Sequence, residues 1–194
     1  MPALPALYAH DPFLPLQHLL CTAWLDGPMA IASVSCEGWA IALIALAFVL
    51  SRERSGRRTI AEVLPLFAGL LLAGLAVQVL KRIVDVPRPL TVYGTAVHVL
   101  LHPLRQHAFP SGHSASIAAL AAFAVRRYGR VAWPLVLLAI LGGISRVYVG
   151  AHWTLDVAAG WAVGIAAAPV AAWAWERGRT HLARPAALPT PEPE

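Results

Sequence analysis

The chain has 194 residues, of which 58% are hydrophobic and 13% are charged. A soluble globular domain is about half apolar and about a quarter charged, so this composition excludes an ordinary soluble domain and indicates a membrane protein. The formal net charge is +5, but the cations lie in short clusters between apolar runs. That distribution is typical of membrane topology signals and does not predict a nucleic-acid partner. The two cysteines, Cys21 and Cys36, make no disulfide framework and are expected to be small buried residues.

The first 26 residues are predicted to form an N-terminal segment distinct from the membrane domain. The start, MPALPALYAHDPFLP, has no basic region and contains four prolines, so we expect no cleavable signal peptide. The following stretch mixes apolar residues with Gln17 and His18. We interpret it as an amphipathic helix in the membrane interface, with a sixth span as the alternative.

Five apolar stretches predict about five membrane-spanning helices, since a span needs about 20 mostly apolar residues. They cover residues 27–50, 59–80, 114–125, 131–144 and 154–175. Small residues dominate the third and fifth, which is typical of closely packed membrane helices. We therefore predict an all-α integral membrane helical bundle. The predicted membrane domain covers residues 27–176, and residues 177–194 are predicted to form a basic, Pro-rich cytoplasmic tail.

The basic residues predict the orientation of the bundle. Ten of the fifteen Lys and Arg residues lie in the loops after spans one, three and five. Alternation puts these loops on one face, and the positive-inside rule makes that face cytoplasmic. The other five lie on the opposite face, where few cations are expected, and so need a local reason. They are Lys81, Arg82, Arg88, Arg105 and Arg146.

Three polar clusters occur at span ends on that opposite face: KRIVDVPRP (81–89), PSGH (110–113) and SRVYVGAHWTLD (145–156). Lys81, Arg88 and Arg146 could share one multiply charged anion, because the arginine fork matches phosphate oxygens and lysine adds a point charge. A compact bundle would bring the three clusters together.

The second and third clusters also carry groups for catalysis. Ser111 and Gly112 stand where the third span begins, and N–H groups at a helix start bind anions. His113 lies at the same helix start. His152 and Asp156 are four apart and would share a helix face, where the carboxylate can fix the imidazole tautomer and leave its other nitrogen free to attack.

Each feature alone has a structural alternative. A single cation at a span end usually anchors the helix by snorkelling, and we assign Arg82 and Arg105 to that class. The His152–Asp156 pair could be a structural hydrogen bond, and PSGH a simple turn. Three further histidines have no defined partner and are taken as structural or substrate-facing: His98, His102 and His107. The convergence of ionisable groups at one membrane edge favours a functional site.

The order Lys-x6-Arg-Pro, Pro-Ser-Gly-His and Ser-Arg-x5-His-x3-Asp resembles the type-2 phosphatidic acid phosphatase superfamily. All three motifs match without a departure between Lys81 and Asp156, and three motifs in order are far more specific than one. The superfamily includes lipid phosphatases, polyprenyl diphosphate phosphatases, lipid A phosphatases and phosphotransferases, glucose-6-phosphatases and vanadium haloperoxidases. The resemblance therefore bears on the site more than on the substrate.

The resemblance implies a role for each motif residue. His152 attacks phosphorus to form a phosphohistidine, Asp156 orients His152, and His113 protonates the leaving oxygen and later deprotonates water. The phosphoryl oxygens are held by Lys81, Arg88, Ser111, Gly112 and Arg146. Because positioned cations and donors can stabilise the charge of a phosphoryl transition state, we expect no metal and no other cofactor.

The expected function is hydrolysis of a lipid phosphate or diphosphate, with an outward-facing site in the bacterial inner membrane. Undecaprenyl diphosphate is the favoured substrate, followed by phosphatidylglycerol phosphate and phosphatidic acid. A lipid A phosphatase or phosphotransferase would share every motif and stays open. A cover over the site is also expected, as a short interfacial helix with Val97, Leu100, Leu101 and Leu104 at helical spacing.

Two other classes are less favoured. A non-enzymatic lipid-phosphate binder or transporter would need the cations but not His113, His152 and Asp156, and a phosphate-release assay separates it from an enzyme. A vanadate-dependent oxidase is disfavoured because such relatives are typically soluble. The expected partners are the lipid substrate and the bilayer, and the sequence leaves the oligomeric state open.

Overall fold

The computed structural model describes residues 5–102 and 107–182, without the side chains of 181 and 182. Within these ranges all regular structure is helical. The α-helices are α1 (Phe13–Leu20), α2 (Ala23–Val34), α3 (Gly38–Arg52), α4 (Gly56–Ile83), α5 (Pro89–Tyr93), α6 (Gly112–Tyr128), α7 (Trp133–Tyr148) and α8 (Thr154–Leu182). Short 3₁₀ helices cover Ala6–Tyr8, Gly94–Ala96 and Gly129–Ala132.

Three helical runs in the described part of the chain are long and apolar enough to cross a membrane: Gly56–Ile83, Gly112–Tyr148 and Thr154–Thr180. The pair α2 and α3, bent by 74°, is a possible fourth. The run Gly112–Tyr148 folds back on itself, since α6 and α7 line one apolar groove side by side. The prediction of an all-α, multi-pass membrane bundle is confirmed. The predicted count of about five requires that α6 and α7 are two crossings and that the bent pair α2 and α3 is one span.

The first predicted span, residues 27–50, is not one helix, and that prediction was wrong. α2 ends at Val34 and α3 begins at Gly38. Between them lies Glu37, whose carboxylate accepts a hydrogen bond from the Trp39 indole at 2.7 Å. An unpaired charge inside a continuous apolar helix would cost much free energy. A break in the helix at Glu37, next to the conformationally permissive Gly38, costs less.

Helix α1 is too short to be a sixth span, because its 8 residues extend only about 12 Å at about 1.5 Å per residue. Phe13 and Gln17, four residues apart, are buried on one face, whereas Leu19 is exposed. A helix is therefore present in the predicted N-terminal segment. Its position in the membrane interface and the domain boundaries stay predictions, and residues 183–194 of the predicted tail lie outside the described residues.

The packing of α6 against α8 positions the polar clusters. A Cβ atom added to Gly160 would collide with the Ser111 carbonyl oxygen, and one added to Gly164 would collide with the Ala115 carbonyl oxygen. Small residues at such positions let two membrane helices approach closely. As a result, the start of α6 lies directly against the first turns of α8.

The basic loops and the motif clusters lie at opposite ends of the bundle. At one end, Arg127 near the end of α6 pairs with Glu62 near the start of α4, with 2.7 Å between Nε and Oε1. At the other end, the Ser111 N–H donates to the Asp156 carbonyl at 3.0 Å and joins the start of α6 to the first turn of α8. Helix packing therefore separates the two sets of polar residues along the bundle axis.

Candidate active site

The end of α7 determines the position of His152. Gly150 has a φ of 74°, and the Ala151 N–H donates to the Arg146 carbonyl at 3.0 Å, which is the bond pattern of a Schellman helix end. Glycine is required at this turn because a Cβ atom would collide with the His98 carbonyl oxygen. The His152 N–H also reaches the Arg146 carbonyl, at 3.2 Å. The interval from Arg146 to His152 in the motif thus corresponds to the turn that ends α7, and this turn fixes the position of His152.

His152 and Asp156 form a buried pair, with exposed fractions of 2% and 0%. The Nδ1 atom of His152 lies 3.3 Å from Oδ2 of Asp156. The same oxygen accepts the Trp153 N–H at 3.0 Å, and Oδ1 accepts the Tyr8 hydroxyl at 2.8 Å. A carboxylate on Nδ1 favours the tautomer with the proton there, which leaves the lone pair on Nε2.

Arg88 lies against that second nitrogen. Its Nη1 atom is 3.2 Å from Nε2 of His152 and donates to the Ala151 carbonyl at 2.7 Å. Because a guanidinium has only donors, Nε2 is the acceptor, in agreement with the tautomer set by Asp156. Burial lowers the pKa of Arg88, and the Asp156 charge acts in the opposite direction.

The surroundings of His152 keep its imidazole neutral. Burial is the largest cause and lowers the pKa of His152 well below its ordinary value. The nearby cations Arg88, Arg146 and Lys81 act in the same direction, in that order. A neutral imidazole with a lone pair on Nε2 is the form that can attack an electrophile.

Lys81 and Arg88 converge on one main-chain oxygen. The Lys81 ammonium donates to the His107 carbonyl, and Nη2 of Arg88 reaches the same oxygen at 3.4 Å. His107 itself has a φ of 51°, and its Nδ1 atom lies 3.1 Å from Oδ1 of Asp85. Two cations from the first motif therefore meet just before the second motif.

The PSGH motif forms the start of α6. Ser111 is the buried N-cap, and its hydroxyl oxygen accepts hydrogen bonds from the N–H and the hydroxyl of Ser114 at 3.4 and 3.0 Å. Gly112 and His113 follow in the first turn, both half-buried, where N–H groups have no intrahelical acceptor.

Arg146 completes the group from α7. Its side chain is only 5% exposed, and its guanidinium donates to the Ser33 hydroxyl oxygen of α2. Its Nε atom is buried without a hydrogen-bond partner among the described residues. This cation therefore lies inside the bundle and is bonded to Ser33 of α2.

The three motifs lie within a region of the chain that matches a known protein family. The family model of the PAP2 superfamily matches residues 62–179. The chain belongs to the PAP2 superfamily. This finding confirms the resemblance inferred from the three motifs and places all of them inside the matched region.

Two curated relatives and one solved structure extend the PAP2 match. The chain is 34% identical over 120 residues to the undecaprenyl-diphosphatase BcrC of Bacillus subtilis (strain 168), a match that covers 61% of this chain and 58% of that protein. It is 35% identical over 103 residues to a lipid A 1-phosphatase of Rhizobium etli, which covers 51% of this chain and 44% of that protein. The chain thus matches less than two thirds of the length of either relative. The crystal structure of Aquifex aeolicus LpxE gives a TM-score of 0.73 at 26% identity and covers 87% of this chain and 98% of that one.

The other cations and histidines considered in the sequence analysis lie away from the hydrogen bonds around His152 or outside the described residues. Arg82 is exposed at the end of α4, and His102 is also exposed. The Nε2 atom of His98 lies 3.2 Å from Oδ1 of Asp26. Arg105 lies outside the described residues.

The predicted interfacial helix before the PSGH motif is absent from residues 97–102, and that prediction was wrong there. The N–H and the carbonyl of His98 both bond to the side-chain amide of Gln17, each at 2.9 Å. Those main-chain groups are therefore unavailable to a helical ladder. α5 and the 3₁₀ helix Gly94–Ala96 precede this segment, and Leu104 lies outside the described residues.

Sequence reasoning missed the support that the N-terminal segment gives to the site. Oδ1 of Asp11 accepts the N–H and the hydroxyl of Thr154 at 3.2 and 2.6 Å, and Oδ2 accepts the Leu155 N–H at 2.9 Å. Tyr8 bonds to Asp156, 148 residues away. Polar residues interspersed in an apolar segment were the available signal, but nothing local in the sequence names partners so far away.

Proposed function

We propose that this protein is an integral membrane phosphatase that hydrolyses a lipid phosphate or diphosphate through a phosphohistidine intermediate. The observation that carries the proposal is the buried His152–Asp156 pair, with Nε2 of His152 directed at Arg88. Membership of the PAP2 superfamily and the phosphatase names of its relatives support the same activity.

In the proposed first step, Nε2 of His152 attacks phosphorus and forms a P–N bond. The P–O bond to the leaving group breaks, and His113 gives its proton to the departing oxygen. Asp156 holds the Nδ1 proton and stabilises the positive charge that develops on the His152 ring. This arrangement is the general form of a nucleophile oriented by a third group.

In the proposed second step, water attacks the phosphohistidine. His113 takes a proton from the water, the P–N bond breaks, and inorganic phosphate leaves with His152 neutral again. The three phosphoryl oxygens are held by Lys81, Arg88, Arg146, the Ser111 hydroxyl and the Gly112 N–H. Such donors act where charge develops in the transition state, and a bound phosphate would offer Arg88 a stronger acceptor than Nε2 of His152.

The favoured substrate is undecaprenyl diphosphate, followed by phosphatidylglycerol phosphate and phosphatidic acid. The B. subtilis relative is named an undecaprenyl-diphosphatase, which supports this order. The motif residues lie at the end of the bundle opposite the basic loops, so the positive-inside rule supports a site that faces the periplasm or cell exterior in a bacterial inner membrane. Lipid head groups at that surface would reach the site directly.

A second candidate is dephosphorylation of lipid A, or transfer of phosphate onto it. The R. etli relative is named a lipid A 1-phosphatase, and the same nucleophile, acid and cations would serve either reaction. The two candidates differ in the lipid that carries the phosphate and in the acceptor of the phosphohistidine.

A phosphate-release panel with the detergent-purified protein tests the proposal. The panel contains undecaprenyl diphosphate, phosphatidylglycerol phosphate, phosphatidic acid and lipid A, with His152→Ala as the inactive control. We expect the fastest release from undecaprenyl diphosphate. Binding of these lipids without release of phosphate from any of them would favour the binder or transporter class.

A further inference from the structure

The N-terminal segment contacts the proposed catalytic carboxylate directly. The Tyr8 hydroxyl donates to Oδ1 of Asp156 at 2.8 Å, and the two side chains are 4% and 0% exposed. The other carboxylate oxygen, Oδ2, serves both His152 and the Trp153 N–H. Tyr8 thus binds the oxygen that the proposed nucleophile does not use.

The position of the Tyr8 hydroxyl is fixed by its own surroundings. Its ring packs edge-on against the ring of Trp153, with 5.7 Å between centroids. The Asp11 N–H bonds to the Tyr8 carbonyl at 3.2 Å, and the Asp11 carboxylate holds the first turn of α8 through Thr154. Carboxylates are favourable at a helix N-terminus, so Asp11 ties Tyr8 to the helix that carries Asp156.

The chemistry of Tyr8 is that of a donor. Burial, followed by the Asp156 charge, raises the pKa of Tyr8 above its ordinary value, so the hydroxyl keeps its proton. A buried hydroxyl needs a partner, and here the partner is a carboxylate, which makes the bond charge-assisted. A phenylalanine would fill the same volume, so packing alone gives no reason for the oxygen.

We infer that Tyr8 is a positioning residue of the active site, and that the N-terminal segment is part of the catalytic unit. By holding Oδ1, Tyr8 prevents rotation of the Asp156 carboxylate and keeps Oδ2 on Nδ1 of His152. The tautomer and the direction of Nε2 then depend on an element 148 residues away in sequence. This inference rests on the proposed phosphohistidine chemistry.

The chain offers a matched control in Tyr93. Its ring also packs edge-on against Trp153, with 5.6 Å between centroids, but its side chain is 36% exposed. Tyr8→Phe and Tyr93→Phe each remove one hydroxyl oxygen from a tyrosine ring that packs against the Trp153 indole. We expect Tyr8→Phe to lower kcat about tenfold, since small misplacements of reacting groups are costly. KM should stay close to that of the wild type, Tm should fall moderately because Oδ1 of the buried Asp156 carboxylate loses its donor, and Tyr93→Phe should match the wild type in all three.

A double-mutant cycle separates positioning from general structural support. If Tyr8 acts through the carboxylate, Tyr8→Phe should cost less than about twofold in an Asp156→Asn background, because coupled residues are not additive. The same loss in both backgrounds, or a wild-type kcat for Tyr8→Phe, would overturn the inference while leaving His152→Ala inactive. Activity retained by His152→Ala would instead overturn the proposed function and, with it, this role for Tyr8.

Discussion

The Nη1 atom of Arg88 lies 3.2 Å from Nε2 of His152, so a cation meets the nitrogen proposed to attack phosphorus. The contact has two consequences. It opposes protonation of the imidazole, because like charges so close together are unfavourable. It also puts a guanidinium next to the proposed nucleophile, where it could hold the oxygens of a phosphoryl group under attack.

We predict that Arg88→Gln moves the acidic limb of the pH–rate profile to higher pH. Burial lowers the pKa of His152 most, and the charge of Arg88 is the next largest cause. Removing it makes the imidazolium less unfavourable, so the pKa rises and the neutral nucleophile is lost at a higher pH. The measurement is kcat/KM from acidic to neutral pH, with Arg82→Gln as the control, since Arg82 is an exposed arginine at the end of α4. Coincident acidic limbs in the two variants would argue against this role of Arg88.

We predict that His152→Ala abolishes turnover while the protein still folds and inserts. The side chain is the proposed nucleophile, and loss of such a group typically costs several orders of magnitude in kcat. Asp156→Asn should lose roughly 10²- to 10⁴-fold, because an amide favours the wrong imidazole tautomer. Phosphate release by purified variants measures both effects, with His102→Ala as the control for an exposed histidine. Near-wild-type release from His152→Ala would eliminate the nucleophile assignment.

The motif spacings could be read from the sequence because each corresponds to a local structure. The interval from Arg146 to His152 is a Schellman helix end at Gly150, and Ser111 is an N-cap. Both depend on residues within a few positions of one another. The α-helical class was predictable for a related reason, since apolar length alone identifies membrane helices.

The errors and omissions involve competition between local and distant partners. The segment around His98 has helical spacing of apolar residues, but its main-chain groups bond to Gln17, 81 residues away. Tyr8 likewise bonds to Asp156, 148 residues away, and only the tertiary fold brings the two together. The break at Glu37 was missed because a hydropathy window averages one charge over a whole span.

We predict that activity survives EDTA and is inhibited by vanadate. The proposed site uses Lys81, Arg88 and Arg146 where other phosphatases use metal ions, so a chelator should leave kcat unchanged. Vanadate resembles the trigonal phosphoryl group in transfer and should occupy the same cations. Phosphate release with and without each reagent is the measurement. Activity lost to EDTA and restored by Mg²⁺, or insensitivity to millimolar vanadate, would contradict the pocket proposed here.

We predict that Gly164→Ala destabilises the bundle. The new Cβ would collide with the Ala115 carbonyl oxygen, and overpacking of this kind typically costs about 1–3 kcal/mol. Gly74→Ala in α4 is the matched control, because a Cβ there has no heavy atom within 4 Å and alanine favours a helix. Thermal unfolding in detergent should show a lower Tm for Gly164→Ala only. Equal Tm values would mean that α6 and α8 are not packed so closely.

The last prediction concerns which side of the membrane the site faces. Ten cations lie in the loops after the first, third and fifth predicted spans, and the motif residues lie at the other end of the bundle. The positive-inside rule then puts the site outside. Thr95 and Ser55 are both exposed and mark the two ends, so a single cysteine at each position reports its side. Cys21 and Cys36 would first be replaced by Ser to remove background labelling.

In intact cells, with the outer membrane permeabilised where present, a membrane-impermeant thiol reagent should label Thr95→Cys. The Ser55→Cys variant should be labelled only after the inner membrane is broken, because its loop carries cations that the positive-inside rule assigns to the cytoplasm. Each variant is the control for the other, since both residues are exposed and only their sides differ. The opposite pattern would put the site in the cytoplasm. Undecaprenyl diphosphate on the outer leaflet would then be out of reach, and inner-leaflet phospholipid phosphates would become the better candidates.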